Sequence, residues 1–170
     1  MKIALIGYGE VGRILAEDLV PAGHEVRAYD VKLDTEAGNA LRDHAARTGV
    51  ALGADAAGAV RGAALVVSAV TASQAVAVAD AVAPGLDPGA FFLDFNSASP
   101  GAKCRAADIV GAAGGRYVEG AVMTSVPPYR IKVPLLLGGP QAAALQPVLD
   151  NVNAGVSKGD GTDYTDELPA

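Results

Sequence analysis

The chain has 170 residues, 51% of them hydrophobic, and a net charge of −6 with no basic cluster. That length supports one domain with a core of its own, and the acidic balance argues against a nucleic-acid partner. No apolar run approaches the roughly 20 residues that span a bilayer, and no signal peptide opens the chain, so no membrane partner and a cytoplasmic location are expected. Trp is absent and only 5% of residues are aromatic, so the core must come from Val, Leu, Ile and Ala. Cys104 is the single cysteine. It can form no disulfide within the chain, which fits a reducing compartment.

The first element is a short apolar run, residues 3–6, read as a buried strand. Gly7-Tyr8-Gly9-Glu10-Val11-Gly12 follows, with its glycines in G-x-G-x-x-G spacing. Val11, Ile14, Leu15 and Leu19 then recur at helical spacing. Strand, glycine turn and helix together are the context of a dinucleotide-binding turn. The first glycine permits the turn, the second lets a pyrophosphate approach the backbone, and the third lets helix and strand pack closely. The helix start adds free N–H groups and a partial positive charge. The bland alternative is a glycine-rich strand–helix turn with no ligand. The second strand, residues 24–30, favours the ligand. It ends in Asp30, near the spacing of about 20 residues expected for an acid that accepts ribose hydroxyls. A carboxylate beside a 2′-phosphate costs a few kcal/mol at an effective dielectric of about 20. NAD is therefore expected over NADP, with Lys32 close enough to blunt the preference.

Residues 31–39 read as a loop entering a helix that runs to about Thr48. Leu41, Ala45 and Ala46 form its weak apolar face. His44, among Arg42, Asp43 and Arg47, reads as surface and not as a ligand, and no metal site is expected. Residues 50–53 form a short strand, 56–61 a small helix and 64–70 a buried strand, with 71–73 as the loop at its carboxyl end. Residues 74–83 are helical, with Val76, Ala79 and Val82 inward. A turn rich in Pro and Gly, 84–89, leads to the strand 91–95. Ser99 and Pro100 read as an N-cap followed by proline at the first helical position. That helix runs to about Ala113, is stopped by Gly114-Gly115, and carries Cys104 as a small buried residue. Residues 117–122 and 133–137 are the sixth and seventh strands. Only about ten residues join them, fewer than a parallel crossover needs, so the seventh is expected to run antiparallel toward a sheet edge. Pro134 suits an edge or a strand start. The last helix begins near Pro140, with Leu145, Val148 and Leu149 inward, and Pro147 is expected to kink or split it. Residues 158–170 carry four acids against one lysine. The segment 156–170 therefore reads as an acidic, disordered tail, leaving 1–155 as the dinucleotide-binding domain.

Strands alternating with helices predict an α/β fold, a Rossmann-type doubly wound and mostly parallel sheet with an antiparallel last strand. Ligands of such sheets bind at the carboxyl ends of the strands, where strand order reverses. That groups the loops 7–12, 70–73 and 96–99. With these in place, the chain resembles the β-hydroxyacid dehydrogenases, which include 3-hydroxyisobutyrate and 6-phosphogluconate dehydrogenases. The glycine turn at the very N-terminus is shared. Asp94-Phe95-Asn96-Ser97-Ala98-Ser99-Pro100 matches the family's D-x-[SN]-[ST]-x-x-P element. Glu119-Gly120-Ala121-Val122-Met123-Thr124-Ser125 resembles its substrate loop. Val126-Pro127-Pro128 and residues 133–139 bring the chain nearest to the 6-phosphogluconate-dehydrogenase-like branch. The resemblance covers residues 1–150.

The resemblance implies an oxidoreductase that transfers hydride between a nicotinamide cofactor and a small hydroxy acid, or its keto or aldehyde form. An imine-reducing relative is a variant of this. It implies that Gly7, Gly9, Glu10, Val11 and Gly12 cradle the pyrophosphate and that Asp30 holds the adenosine ribose. Val70 and Thr71 are to line the nicotinamide ribose, and Asn96 and Ser97 to lie near the nicotinamide ring and the reacting carbon. Asn96 and Ser97 also read as turn residues bonding their own backbone, and Thr71 as a helix cap. There are two departures. The family's usual serine in the substrate loop is replaced near Met123, which leaves Ser97, Thr124 and Ser125 as substrate-side candidates. The family's helical second domain, with its catalytic lysine and its subunit pairing, is not found in these residues. Without that acid/base the chain alone is expected to bind cofactor but turn over poorly, since general acid catalysis is worth about 10²–10⁴-fold. The alternative is a stand-alone NAD(H)-binding or regulatory module. The expected partners are a nicotinamide dinucleotide, a small acid and, by resemblance, a second copy of the chain.

Overall fold

The computed structural model describes residues 1–155, so the acidic tail expected from residue 156 lies outside the described residues. The strands are β1 (Lys2–Ile6), β2 (Glu25–Tyr29), β3 (Ala51–Leu52), β4 (Leu65–Ser68), β5 (Phe91–Asp94), β6 (Arg116–Val122) and β7 (Leu135–Gly138). They form one sheet in the order β3-β2-β1-β4-β5-β6-β7. Every neighbouring pair is parallel except β6 and β7, which run antiparallel at the edge. The short connection between those two strands has this consequence, and Pro134 sits immediately before β7 rather than within its ladder.

The helices are α1 (Glu10–Leu19), α2 (Gly38–Thr48), α3 (Ala56–Val60), α4 (Ala75–Val82), α5 (Pro100–Ala112), α6 (Val126–Tyr129) and α7 (Ala142–Asn151). Alternation along β1 shows how they are layered. Ile3 and Leu5 pack with Leu15 and Leu19 of α1, Leu41 of α2, and Leu145 and Leu149 of α7. Ala4 and Ile6 face the other way, against Ala59 and Val60 of α3, Val82 of α4 and Val110 of α5. Both faces of the sheet are covered, which is why its central strands read as unbroken apolar runs. No helix among the described residues is long and apolar enough to cross a membrane.

Helix termini follow local chemistry. The Ser99 hydroxyl accepts the Ala102 N–H at 3.3 Å, with Pro100 in the first turn, as the sequence predicts. Two expectations differ, and a third is narrowed. In α4 the inward residues are Ala75, Ala79 and Val82, and Val76 is only partly buried. Cys104 is exposed rather than buried. The inward stripe of α5 is Lys103, Ala106 and Val110, and Lys103 turns in because its amine meets Glu119 of β6 at 2.8 Å. The neighbouring Cys104 is thereby rotated outward. Finally, α7 is not split at Pro147. Pro147 and Ala143, whose carbonyl loses its intrahelical donor, both lie on the exposed side, where water can serve that carbonyl.

Strand order reverses between β1 and β4. The chain winds from β1 through β2 to β3 on one side, then returns to place β4 on the other. The carboxyl ends of β1, β2 and β4 therefore open onto a shared crevice.

Candidate functional site

The three glycines of the first turn differ in what the protein itself demands of them. Gly7 has φ +92°, and a Cβ there would lie 2.2 Å from the Ala69 carbonyl oxygen at the end of β4. A Cβ on Gly12 would lie 2.2 Å from the Gly7 carbonyl oxygen, so α1 is seated directly on the turn. Gly9 is different. Its φ is −77°, and a Cβ there would meet nothing within 4 Å. Internal packing gives no reason for glycine at that position.

The open space beside Gly9 belongs to a cleft of ≈ 370 Å³. That is the size of a small-molecule site. One wall is apolar, from Val31, Ala56, Val70, Ala77 and Val78, and Asp30, Lys32, Thr71 and Gln74 supply polar groups. The cleft thus brings together Gly7, Gly9, Asp30, Val70 and Thr71 of the residues that the sequence singles out. Glu10, Val11, Gly12, Asn96, Ser97, Thr124 and Ser125 do not line it.

Asp30 is held by backbone on both sides. One carboxylate oxygen accepts the Tyr8 N–H at 2.9 Å and the other accepts the Lys32 N–H at 2.9 Å. The second bond caps the short 3-10 turn Val31–Asp34. Each oxygen keeps a further acceptor site, so the carboxylate is oriented without being used up. Thr71 stands at the head of the 3-10 turn Ala72–Gln74 but makes no side-chain capping bond.

Asn96 is buried and reaches across the sheet rather than along its own turn. Its side-chain oxygen accepts the Val70 N–H at 2.7 Å, and its amide nitrogen donates to the Ser68 hydroxyl at 3.0 Å. Its backbone N–H donates to one oxygen of Asp94 at 2.7 Å, and the Tyr117 hydroxyl donates to the other at 2.6 Å. Burial first, then the bond to Asp94, raises the Tyr117 pKa far above the ordinary phenol value and keeps it a donor. The carboxyl end of β5 is thus stapled to that of β4, and the Val70–Thr71 edge of the cleft is fixed. Ser97 is exposed beside this staple, and Met123, Thr124 and Ser125 are exposed where β6 ends. Among the described residues, no group of three His, Cys, Asp or Glu side chains comes together as a metal site would require.

Two features escape a reading of the sequence. His44 is buried, not on the surface. Its Nδ1 lies 2.8 Å from the Tyr8 hydroxyl, and its Nε2 lies 3.0 Å from a Glu17 oxygen. The neighbouring charges Arg42, Asp43 and Arg47 are indeed exposed, but His44 shares the inward stripe of Leu41 and Ala45. That i, i+3, i+4 spacing was the available signal. The second feature is Arg130, a non-glycine residue at φ +54°. Its guanidinium donates to Asp18 at 2.9 Å and to Glu17 at 2.7 Å, and the Ile131 N–H donates to the other Asp18 oxygen at 3.1 Å. Such a backbone costs about 1–3 kcal/mol, offset here by charge-assisted bonds.

Glu17 has its pKa lowered, first by the hydrogen bond from His44 and then by that from Arg130. A carboxylate pKa depressed by folding contributes stability above its unfolded value, and that contribution is lost as pH falls through the folded value. The stability gap between the unaltered chain and Glu17→Gln should therefore close as pH falls below the ordinary carboxylate range. Urea midpoints measured across pH check this, and a gap that widens on acidification would refute it.

The geometry agrees with what the chain is similar to. Residues 2–159 match the family model described as the NAD binding domain of 6-phosphogluconate dehydrogenase. The chain belongs to that family. No curated protein matches it. Among solved structures, a conserved hypothetical protein from Sinorhizobium meliloti 1021 is 37% identical, with a TM-score of 0.85 over 92% of this chain and 52% of that one. The 3-hydroxyisobutyrate dehydrogenase of Mycobacterium tuberculosis, in a structure with L-serine, is 24% identical. It has a TM-score of 0.78 over 91% of this chain and 53% of that one. An imine reductase from Myxococcus stipitatus, in complex with NADP⁺, is 21% identical, with a TM-score of 0.75 over 92% of this chain and 54% of that one. The last two share the fold. The chain spans about half the length of the solved structures it matches.

Proposed function

We propose that this chain is the cofactor domain of an oxidoreductase that moves hydride between NAD and a small hydroxy acid, or its keto or aldehyde form. The observation that carries this reading is Gly9, a glycine with no packing reason to be one, beside an open cleft and within a chain of the NAD-binding family. Gly7, Gly9, Glu10, Val11 and Gly12 at the start of α1 would take the diphosphate, whose charge the free N–H groups there favour. Asp30, oriented by two backbone donors, would accept the adenosine ribose hydroxyls. The apolar wall suits a flat base. Val70 and Thr71, held in place by Asn96, would line the far ribose, and Asn96 and Ser97 lie toward the nicotinamide end. The nicotinamide, when bound, supplies the hydride acceptor or donor. The chain's own contribution is to bind, orient and exclude water. Ser97, Thr124 and Ser125 are the exposed hydroxyls assigned to the substrate side. The single thiol, exposed on α5, suits a cytoplasmic setting.

Fluorescence titration with NADH and NADPH tests this. Tighter binding of NADH is expected, and no binding of either at millimolar concentration would refute the reading. Asp30→Ala should weaken NADH and narrow the NADH-over-NADPH preference by about tenfold. A preference that stays put would remove Asp30 from the ribose site. Turnover of any member of a panel of hydroxy acids by the NAD-loaded chain would exclude a non-catalytic module, whereas binding without turnover fits both readings, since the cofactor domain by itself is expected to turn over poorly.

A further inference from the structure

We propose that His44 is a positioning residue for the diphosphate-binding turn, acting through Tyr8. The inference rests on the reading of Gly7–Gly12 as that turn. Glycines are conformationally permissive, so a turn built from them takes its shape from whatever anchors it. Between Gly7 and Gly9 the one side chain available is Tyr8, and it is fully buried. Its backbone N–H donates to Asp30 and its hydroxyl meets His44 Nδ1 at 2.8 Å, with the two rings edge to face at 5.5 Å. One residue therefore ties the turn to both the ribose acid and α2.

In the neutral imidazole the direction follows from Glu17. That carboxylate only accepts, so the ring proton sits on Nε2 and Nδ1 accepts from Tyr8. Burial pushes the Tyr8 hydroxyl up to about 12, which keeps it a donor. Glu17 is gripped in turn by Arg130, so the imidazole cannot follow a drifting carboxylate. The groups around His44 are thus Tyr8, Glu17 and, through Glu17, Arg130, with Arg42, Asp43 and Arg47 pointing outward on its own helix. The mechanism above uses none of His44, Glu17 or Arg130 directly. Their arrangement would stiffen the turn from behind, from the side opposite the cleft.

A purely structural pair would move thermal stability and leave the affinity of the folded protein unchanged. The test is NADH titration of Tyr8→Phe, His44→Leu, His44→Asn and the Tyr8→Phe/His44→Leu double variant. Circular dichroism would fix a temperature at which all are folded. Tyr8→Phe and His44→Leu should each weaken NADH about tenfold. The double variant should be no weaker than either single one, because both remove the same bond. His44→Asn, whose amide oxygen can take the place of Nδ1, should recover most of the loss. Folded variants with unchanged affinity, losses that multiply in the double variant, or His44→Asn binding as poorly as His44→Leu would each overturn the proposal. If the His44 variants do not fold, Tyr8→Phe decides alone, since it keeps the ring. Failure of the unaltered chain to bind NADH would overturn the functional reading as well. Tight binding by the unaltered chain and by Tyr8→Phe alike would overturn only this one.

Discussion

Gly9→Val will abolish NADH binding and leave the chain folded. The φ of Gly9 is −77°, and a Cβ there would meet no packed protein atom within 4 Å. No packed atom stands where the valine Cβ would go, and the unfolded chain loses some freedom relative to glycine. The thermal midpoint should therefore move by less than about 4 °C. The new methyl groups occupy the space through which a diphosphate would reach the N–H groups of α1, so affinity should fall at least about 100-fold, the loss of several charge-assisted bonds. Gly7→Val is the matched control. It places its Cβ 2.2 Å from the Ala69 carbonyl oxygen and sits at φ +92°, so it should lose stability as well as binding. Thermal melts and NADH titrations of the two variants separate these outcomes. If Gly9→Val binds NADH normally, the diphosphate assignment is wrong.

Asn96→Ala should cost about 2–5 kcal/mol of stability, because a buried and a half-buried partner lose their bonds at once. The Val70 N–H and the Ser68 hydroxyl both depend on this one amide. In a domain of this size that corresponds to a thermal midpoint lower by about 5–15 °C. NADH affinity should fall with it, since the Val70–Thr71 edge of the cleft is no longer pinned. Ser97→Ala, one residue on and exposed, should change stability by less than about 0.5 kcal/mol. Urea midpoints measure both. Equal stability of the two variants would show that Asn96 is no staple.

Five of the residues that line the cleft were legible in the sequence because their signals are local. The spacing of Gly7, Gly9 and Gly12 and the position of Asp30 follow from two short stretches, and the cleft does join Gly7, Gly9, Asp30, Val70 and Thr71. The role of Asn96 was only half legible. Its motif marked it out, but its partners lie 26 and 28 residues away on another strand end. Nothing in the turn itself announces them.

The sequence by itself determined the order and kind of elements. Apolar runs, helical spacing, the Ser99 cap and the short link before β7 act over a few residues, where sterics and periodicity decide. Even the antiparallel edge strand follows from a chain too short to cross back. Only the tertiary structure decided which polar side chains turn inward. His44 is drawn in by Tyr8 and Glu17, and Lys103 by Glu119, which leaves Cys104 outside. Arg130 keeps its strained backbone because Glu17 and Asp18 wait for it more than 110 residues earlier in the chain. A buried polar group needs a partner wherever one can be found, and that partner is chosen by which faces the fold brings together, not by what stands nearby in the sequence.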